Sequence, residues 1–270
     1  MQLVDSHTHI DAGEFDADRA AVLDRARGAG VTRQLVAGID AAGWPKLREV
    51  CAAAPGLFPA YGLHPLFLAQ HRPEHLHELR GWLERERPLA LGECGLDYYV
   101  EELDRDDQAH YFEAQLAIAA ELDLPVIVHA RRAVEEVILT LRGFDGLRGV
   151  LHSFSGSRQQ AEQLWERGFL LGIGGPVTYA RAKRLRRLVA DMPLEYLLLE
   201  TDSPDQPDCH TRGHRNEPAN LVTVVEAVAA LRNEEPAAIA AATTANAERL
   251  FNLPQDEQHF LATDHTDKHG

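Results

Sequence analysis

The sequence predicts an α/β protein folded as one (β/α)8 barrel, and three observations carry that reading. Short β-branched or leucine-rich runs alternate with longer stretches of helical period from the first residues to about Leu250, the pattern of parallel strands joined by helical crossovers. The runs number eight. Residues able to do chemistry stand at the ends of many of them, which favours closure into a barrel over an open doubly wound sheet.

Taken in order, the first strand is expected at 3–5. Gly28 and Gly30 close the first helix ahead of the second strand, 32–37, and the third strand covers 57–62. A helix with Leu76, Leu79 and Leu83 on one stripe leads to the fourth strand at 89–92. Phe112, Leu116 and Ala119 mark the next helix, and Pro125 separates it from the fifth strand, 126–129. Val134, Val137, Ile138 and Leu141 form the stripe that precedes the sixth strand, 149–152. Gly168 punctuates the entry to the seventh strand, 169–173, and the eighth is expected at 196–201. One barrel domain over 1–254 is therefore expected, followed at 255–270 by a polar segment without period, read as a mobile C-terminal tail.

Bulk composition narrows the function classes. With 45% hydrophobic and 26% charged residues the chain has the balance of a globular protein. No apolar run reaches the ~18 residues needed to span a bilayer, and the start lacks a basic stretch and an apolar signal core, so a cytoplasmic location without membrane association is expected. Cys51, Cys94 and Cys209 are widely spaced and form no C-x-x-C pair, which argues against a disulfide framework or a thiolate zinc site. A formal charge of −15 argues against a broad basic face for nucleic acid. Any phosphate contact must be local.

His7 and His9 form an H-T-H pair, and in extended backbone alternate side chains share a face, so both imidazoles can reach one ion. Alone, this pair is weak in a chain with 14 histidines. Its weight comes from company: Glu93 is placed just beyond the fourth strand, His129 and His152 at the ends of the fifth and sixth, and Asp202 just beyond the eighth. Barrel topology gathers such strand ends on one rim. Four imidazoles and two carboxylates exceed what one tetrahedral ion needs, which points to two divalent ions with Glu93 shared between them. None of Lys46, Lys183 or Lys268 sits at a strand end, so a carboxylated lysine is not expected as the bridge. Among other clusters, His71, His75 and His77 are expected to face solvent at the start of a helix, and Arg181, Lys183, Arg184, Arg186 and Arg187 to form a solvated helix face.

Seven collinear motifs then bring a family into view. D-S-H-T-H at 5–9, G-L-H-P at 62–65, G-E-C-G-L-D-Y at 92–98, P-V-I-V-H at 125–129, H-S-F-S-G at 152–156, E-T-D-S-P at 200–204 and R-G-H-R-N-E-P at 212–218 resemble the signatures of the TatD family of metal-dependent deoxyribonucleases. The resemblance runs from Asp5 to about Phe251. It implies a TIM-like barrel with His7, His9, Glu93 and Asp202 around one ion and Glu93, His129 and His152 around the other. It also implies phosphodiester hydrolysis, with DNA, single-stranded or at 3′ ends, as the substrate partner. His214 stands where a lysine is expected and Asp205 where a tyrosine is usual, departures that bear on substrate preference.

The mechanism expected from this set uses two divalent cations, of magnesium, manganese or zinc, to activate water. Asp202 and Glu93 are the catalytic carboxylates, Asp202 as general base. His64 and Arg215 are candidates for holding the substrate phosphate, while Asp97 and Glu200 are placed to orient ligating histidines. Arg131 and Arg132, directly after His129, are candidates for lining the substrate channel. Two alternatives stay open from sequence: a dinuclear hydrolase of small amides, lactones or phosphoesters, and a non-catalytic metal-binding protein.

Overall fold

The computed structural model describes residues 1–254, so the segment at 255–270 lies outside the described residues. Eight strands, β1 (Leu3–Thr8), β2 (Val31–Ala37), β3 (Leu57–Tyr61), β4 (Ala90–Asp97), β5 (Val126–Arg131), β6 (Gly149–Leu151), β7 (Phe169–Ile173) and β8 (Leu197–Leu199), form one parallel sheet in sequence order. Helices α1 (Arg19–Gly28), α2 (Trp44–Ala53), α3 (Pro73–Glu86), α4 (Arg105–Glu121), α5 (Val134–Leu141), α6 (Arg158–Glu166), α7 (Lys183–Asp191) and α8 (Leu221–Arg232) alternate with them, and α9 (Pro236–Phe251) follows. This is the predicted (β/α)8 barrel. Among the described residues no helix is long and apolar enough to cross a membrane.

The seam between β8 and β1 is closed beyond the regular ladder. Asp202 N donates to His7 O (2.9 Å) and His9 N to Ser203 O (2.8 Å). Asp5 completes the joint, accepting from Thr201 N at 3.0 Å and Thr201 Oγ1 at 2.5 Å. Full burial lifts its carboxyl to about 7, although these hydrogen bonds pull the other way.

Two apolar layers divide the core. Inside the barrel, Val4, Leu35, Phe58, Ala90, Ile127, Val150, Leu170 and Leu198 supply one side chain from each strand, and α9 packs Ala247, Leu250 and Phe251 against them. The second layer lies between strands and helices. The helical stripes expected from sequence face it: Leu79 and Leu83, then Phe112, Leu116 and Ala119, then Val137, Ile138 and Leu141 are all buried. Helix α4 begins where the Asp104 side chain accepts from Asp106 N and Asp107 N, both at 2.9 Å. Its Gln108 and Gln115 turn inward and pair with backbone of Asp97 and Leu63, respectively.

Several expectations need correcting. β1 and β4 run on through His7 and Glu93, and β5 continues past His129, so these residues lie within strands. β6 and β8 stop early, leaving His152 one residue and Asp202 three residues beyond them. His71 and His75 are buried: His71 Nε2 lies 2.8 Å from His64 O, and His75 Nδ1 accepts from Arg72 N. Only His77 of that trio is exposed. In the basic run, Arg184 reaches Ser155 O and Arg186 donates to Val177 O at 2.8 Å, so these two pin loops as well as meeting solvent.

Candidate metal centre

The two-residue period of a strand explains how the carboxyl-end residues reach one place. Ile127, Val150 and Leu198 point into the barrel core, and His129, His152 and Glu200 follow each of them by two residues. His7 and Glu93 do not fit that rule. Each lies three residues after an inward-facing partner, Val4 and Ala90, an odd offset that would turn a regular strand's side chain outward. Both strands carry a register shift in the interval, between Asp5 and Thr8 in β1 and between Leu91 and Cys94 in β4. These irregularities return the two side chains to the interior. Asp202 arrives differently, from a loop residue in the left-handed region (φ 55°) that aspartate tolerates better than most. At Gly172 of β7 a Cβ would lie 2.0 Å from Glu200 Oε2, so glycine makes room for that carboxylate behind His152.

Glu93 organises what results. Its Oε2 lies 3.2 Å from His7 Nε2 and 3.3 Å from His9 Nε2, and those nitrogens are 3.4 and 3.5 Å from Asp202 Oδ1 and 3.2 Å from each other. Its Oε1 faces His64 Nε2 at 2.9 Å, His129 Nδ1 at 2.9 Å and His152 Nε2 at 2.7 Å, the last two nitrogens being 3.2 Å apart. All six predicted ligand candidates are thus brought together, and His64 joins them.

The donor set fits divalent cations. A tetrahedral ion with bonds of about 2.1 Å requires donors about 3.4 Å apart, and the separations of 3.2–3.5 Å around Glu93 Oε2 match it. Octahedral coordination at similar bond lengths needs adjacent donors about 3.0 Å apart, close to the spacing around Oε1. Glu93 Oε2 is also buried without a hydrogen-bond partner, as is His7 Nδ1 behind the ring. An ionised oxygen stranded in this way is costly unless positive charge accompanies it. Three overlapping groups, His7–Glu93–His152, His7–His9–Asp202 and His64–Glu93–His129, have donor atoms within 4.8 Å of one another.

Electrostatics couple the groups tightly. Burial alone would raise the carboxyl of Glu93, but the imidazoles of His64, His152 and His7 reverse this and hold it well below the usual carboxylate range. Asp202 is likewise opposed by burial and pulled down by hydrogen bonds from His7 and His9. Against burial, Asp202 and Glu93 push His9 up, and Glu93 with Glu200 pushes His152 up. His64 goes the other way, because burial dominates and depresses it to about 4. Behind the cluster, Asp97 Oδ2 lies 3.0 Å from His129 Nε2, fixing which nitrogen faces Glu93. Glu200 Oε1 stands 3.7 Å from His152 Nδ1.

The cluster forms the floor of a cavity of about 790 Å³ whose wall includes His64, Phe67, Arg131, Asp205 and Gln206. Arg215 is placed elsewhere. Its guanidinium is bidentate with Asp18 (2.9 and 2.7 Å), bonds Glu217 at 2.9 Å and covers Phe15, so it braces the wall and leaves no donor pair aimed at a phosphate. His214 is exposed and outside the lining, whereas Asp205 is part of it. Gln206, which no sequence signal marked, donates to Asp202 Oδ2 and accepts from Ser153 Oγ at 2.8 Å, steadying the carboxylate.

Comparison with known proteins agrees with the geometry. The family model described as TatD related DNase matches residues 4–252. The chain is 38% identical over 256 residues to an Escherichia coli K12 protein named uncharacterized metal-dependent hydrolase YjjV, across 94% of this chain and 99% of that one. It is 37% identical over 259 residues to an Erwinia tasmaniensis protein named 3'-5' ssDNA/RNA exonuclease TatD, covering 93% of this chain and 100% of that one. The crystal structure of YJJV, described as a TATD homolog, superposes with a TM-score of 0.90 at 37% identity over 93% of this chain and 98% of that chain. A phosphotriesterase homology protein from Escherichia coli, complexed with phosphate in its active site, shares the fold at 13% identity and TM-score 0.62, over 93% and 98% of the two chains.

Proposed function

The chain belongs to the TatD family of metal-dependent hydrolases, and from that premise we propose that it is a two-cation phosphodiesterase removing nucleotides from the 3′ end of single-stranded DNA. That it is a hydrolase acting on ester bonds follows from the family; the cation count, the ligands and the substrate are the proposal. The observation that carries it is the division of Glu93, whose two oxygens face separate sets of nitrogen donors. In this reading His7, His9, Glu93 and Asp202 hold one ion, and Glu93, His129 and His152 hold the other. Bound there, magnesium, manganese or zinc supplies a water of lowered pKa and neutralises charge growing on the phosphoryl oxygens.

The remaining work falls to side chains. Asp202, kept ionised by its imidazole neighbours and steadied by Gln206, accepts the proton of the attacking water. His64, kept neutral by burial, accepts from Leu66 N at Nδ1 (3.0 Å) and so turns its one N–H, on Nε2, toward Glu93 Oε1 at 2.9 Å, where it orients that carboxylate in the cavity wall. Asp97 holds the His129 ring in place. An overall charge of −15 leaves this pocket as the place where a phosphodiester is attracted.

The test pairs metal analysis with turnover. Purified wild type should carry two divalent ions per chain and release mononucleotides from the 3′ end of a single-stranded oligonucleotide. Glu93→Gln should bind at most one ion and lose about a thousandfold or more in kcat, on the scale of removing transition-state charge stabilisation. Full metal content and turnover in that variant would exclude the bridge, and hydrolysis confined to small neutral esters or lactams would exclude the nuclease.

A further inference from the structure

The mouth of the cavity is chemically two-sided. Sheet order runs from β1 to β8, so around the ring the loops after β8 and β1 stand opposite those after β4 and β5. On the first side Asp11, Glu14 and Asp205 line the cavity, and Asp11 Oδ1 is buried without a hydrogen-bond partner. On the second, Arg131 lines it, and its guanidinium carbon stands 3.7 Å from the centroid of the Tyr99 ring. The guanidinium of Arg132 reaches the same ring at 4.7 Å.

Tyr99 is nonetheless 47% exposed, among the few large hydrophobic side chains of the described residues to be so. It is held firmly. Tyr99 N donates to Asp97 Oδ1 at 2.9 Å and Val100 N to the same oxygen at 3.3 Å, while Asp97 Oδ2 meets His129. One carboxylate therefore sets both a ring of the metal cluster and the turn that presents the tyrosine.

We propose that Tyr99, Arg131 and Arg132 form a stacking platform for the nucleotide on the 5′ side of the scissile phosphate. The strand then leaves the cavity over the β4–β5 side and away from the acidic β8–β1 side. This rests on the exonuclease reading above. A half-exposed ring with guanidinium planes stacked on it lets a base stack on the aromatic or guanidinium surface and offers positive charge to the adjoining phosphate, whereas three carboxylates repel a phosphate chain. A paired duplex has no free base face to lay on the ring, so the platform selects single strands.

Steady-state kinetics on a single-stranded oligonucleotide and on bis(4-nitrophenyl) phosphate test this, together with 2-aminopurine fluorescence in metal-free protein. Tyr99→Ala and Arg131→Ala should raise KM for the oligonucleotide about tenfold, with a smaller change in kcat and a smaller loss on the small diester. Tyr99→Phe should restore most of the affinity. An oligonucleotide carrying 2-aminopurine next to its 3′ nucleotide should be quenched by wild type and less so by Tyr99→Ala. Leu139→Ala, on the exposed face of α5, serves as the control. If wild type degrades the oligonucleotide while both alanine variants keep KM within twofold and the quenching is unchanged, the platform is excluded. If wild type hydrolyses the small diester and never the oligonucleotide, the exonuclease reading falls and the platform with it.

Discussion

Glu93 is the residue on which the site turns, because a single buried carboxylate faces His7 and His9 with one oxygen and His64, His129 and His152 with the other. The residues behind it matter for a different reason. Asp97→Asn leaves the imidazole of His129 without its charged partner, and a loss of about 10–100-fold in metal affinity is expected, measured by competition with a chelating dye; unchanged affinity would show that His129 needs no such support. Protons compete with cations at the same nitrogens. His9 and His152 hold protons to higher pH than a free imidazole, so at neutral pH ion binding must expel them, and affinity rises as pH rises through and above about 6.5. Calorimetry in buffers of different ionisation enthalpy should therefore record net proton release on binding, and uptake would contradict the ligand set. At this scale the sequence was informative where a residue type falls near the carboxyl end of a strand, as at His129, two residues before the end of β5, and His152, one residue beyond β6. It said little about Gln206, which stands in an aperiodic loop, and it gave Arg215 a role that its pairing with Asp18 does not fit.

Elements position these residues with limited freedom. The register shifts of β1 and β4 are the local features that bring His7 and Glu93 inward, and periodicity could not reveal them because a shift changes pairing without changing the run of apolar residues. The eight strands and the buried stripes of α3, α4 and α5 were legible for the converse reason, since each repeats a period over several residues. Helix α4 also supports the site: Gln108 accepts from Asp97 N at 2.7 Å and donates to Asp97 O at 3.0 Å, fixing the end of β4. Gln108→Leu keeps the volume and strands both backbone groups, so a loss of about 1–3 kcal/mol is expected in urea denaturation, accompanied by weaker metal binding. Unaltered stability would mean that water satisfies these groups as well as the glutamine does.

On the scale of the whole molecule, an apolar layer drawn from every strand and plugged by α9 fills one end of the barrel, and ionisable groups fill the other. Buried carboxylates are costly without positive charge beside them, so divalent cations among these groups are expected to add to folding stability. At about a hundredfold over Kd each independent site contributes about 2.7 kcal/mol, so stripping both ions by chelation should lower Tm by roughly 10–20 °C for a chain of this size. With net charge −15, oligonucleotide binding should depend weakly on salt, because few phosphates are contacted. The central claim is that Glu93 sits between two cations. Anomalous diffraction from crystals loaded with manganese or zinc tests it most directly: two peaks are predicted, one among His7, His9, Glu93 and Asp202 and the other among Glu93, His129 and His152. A single peak, or peaks that leave Glu93 out of either coordination sphere, would contradict it.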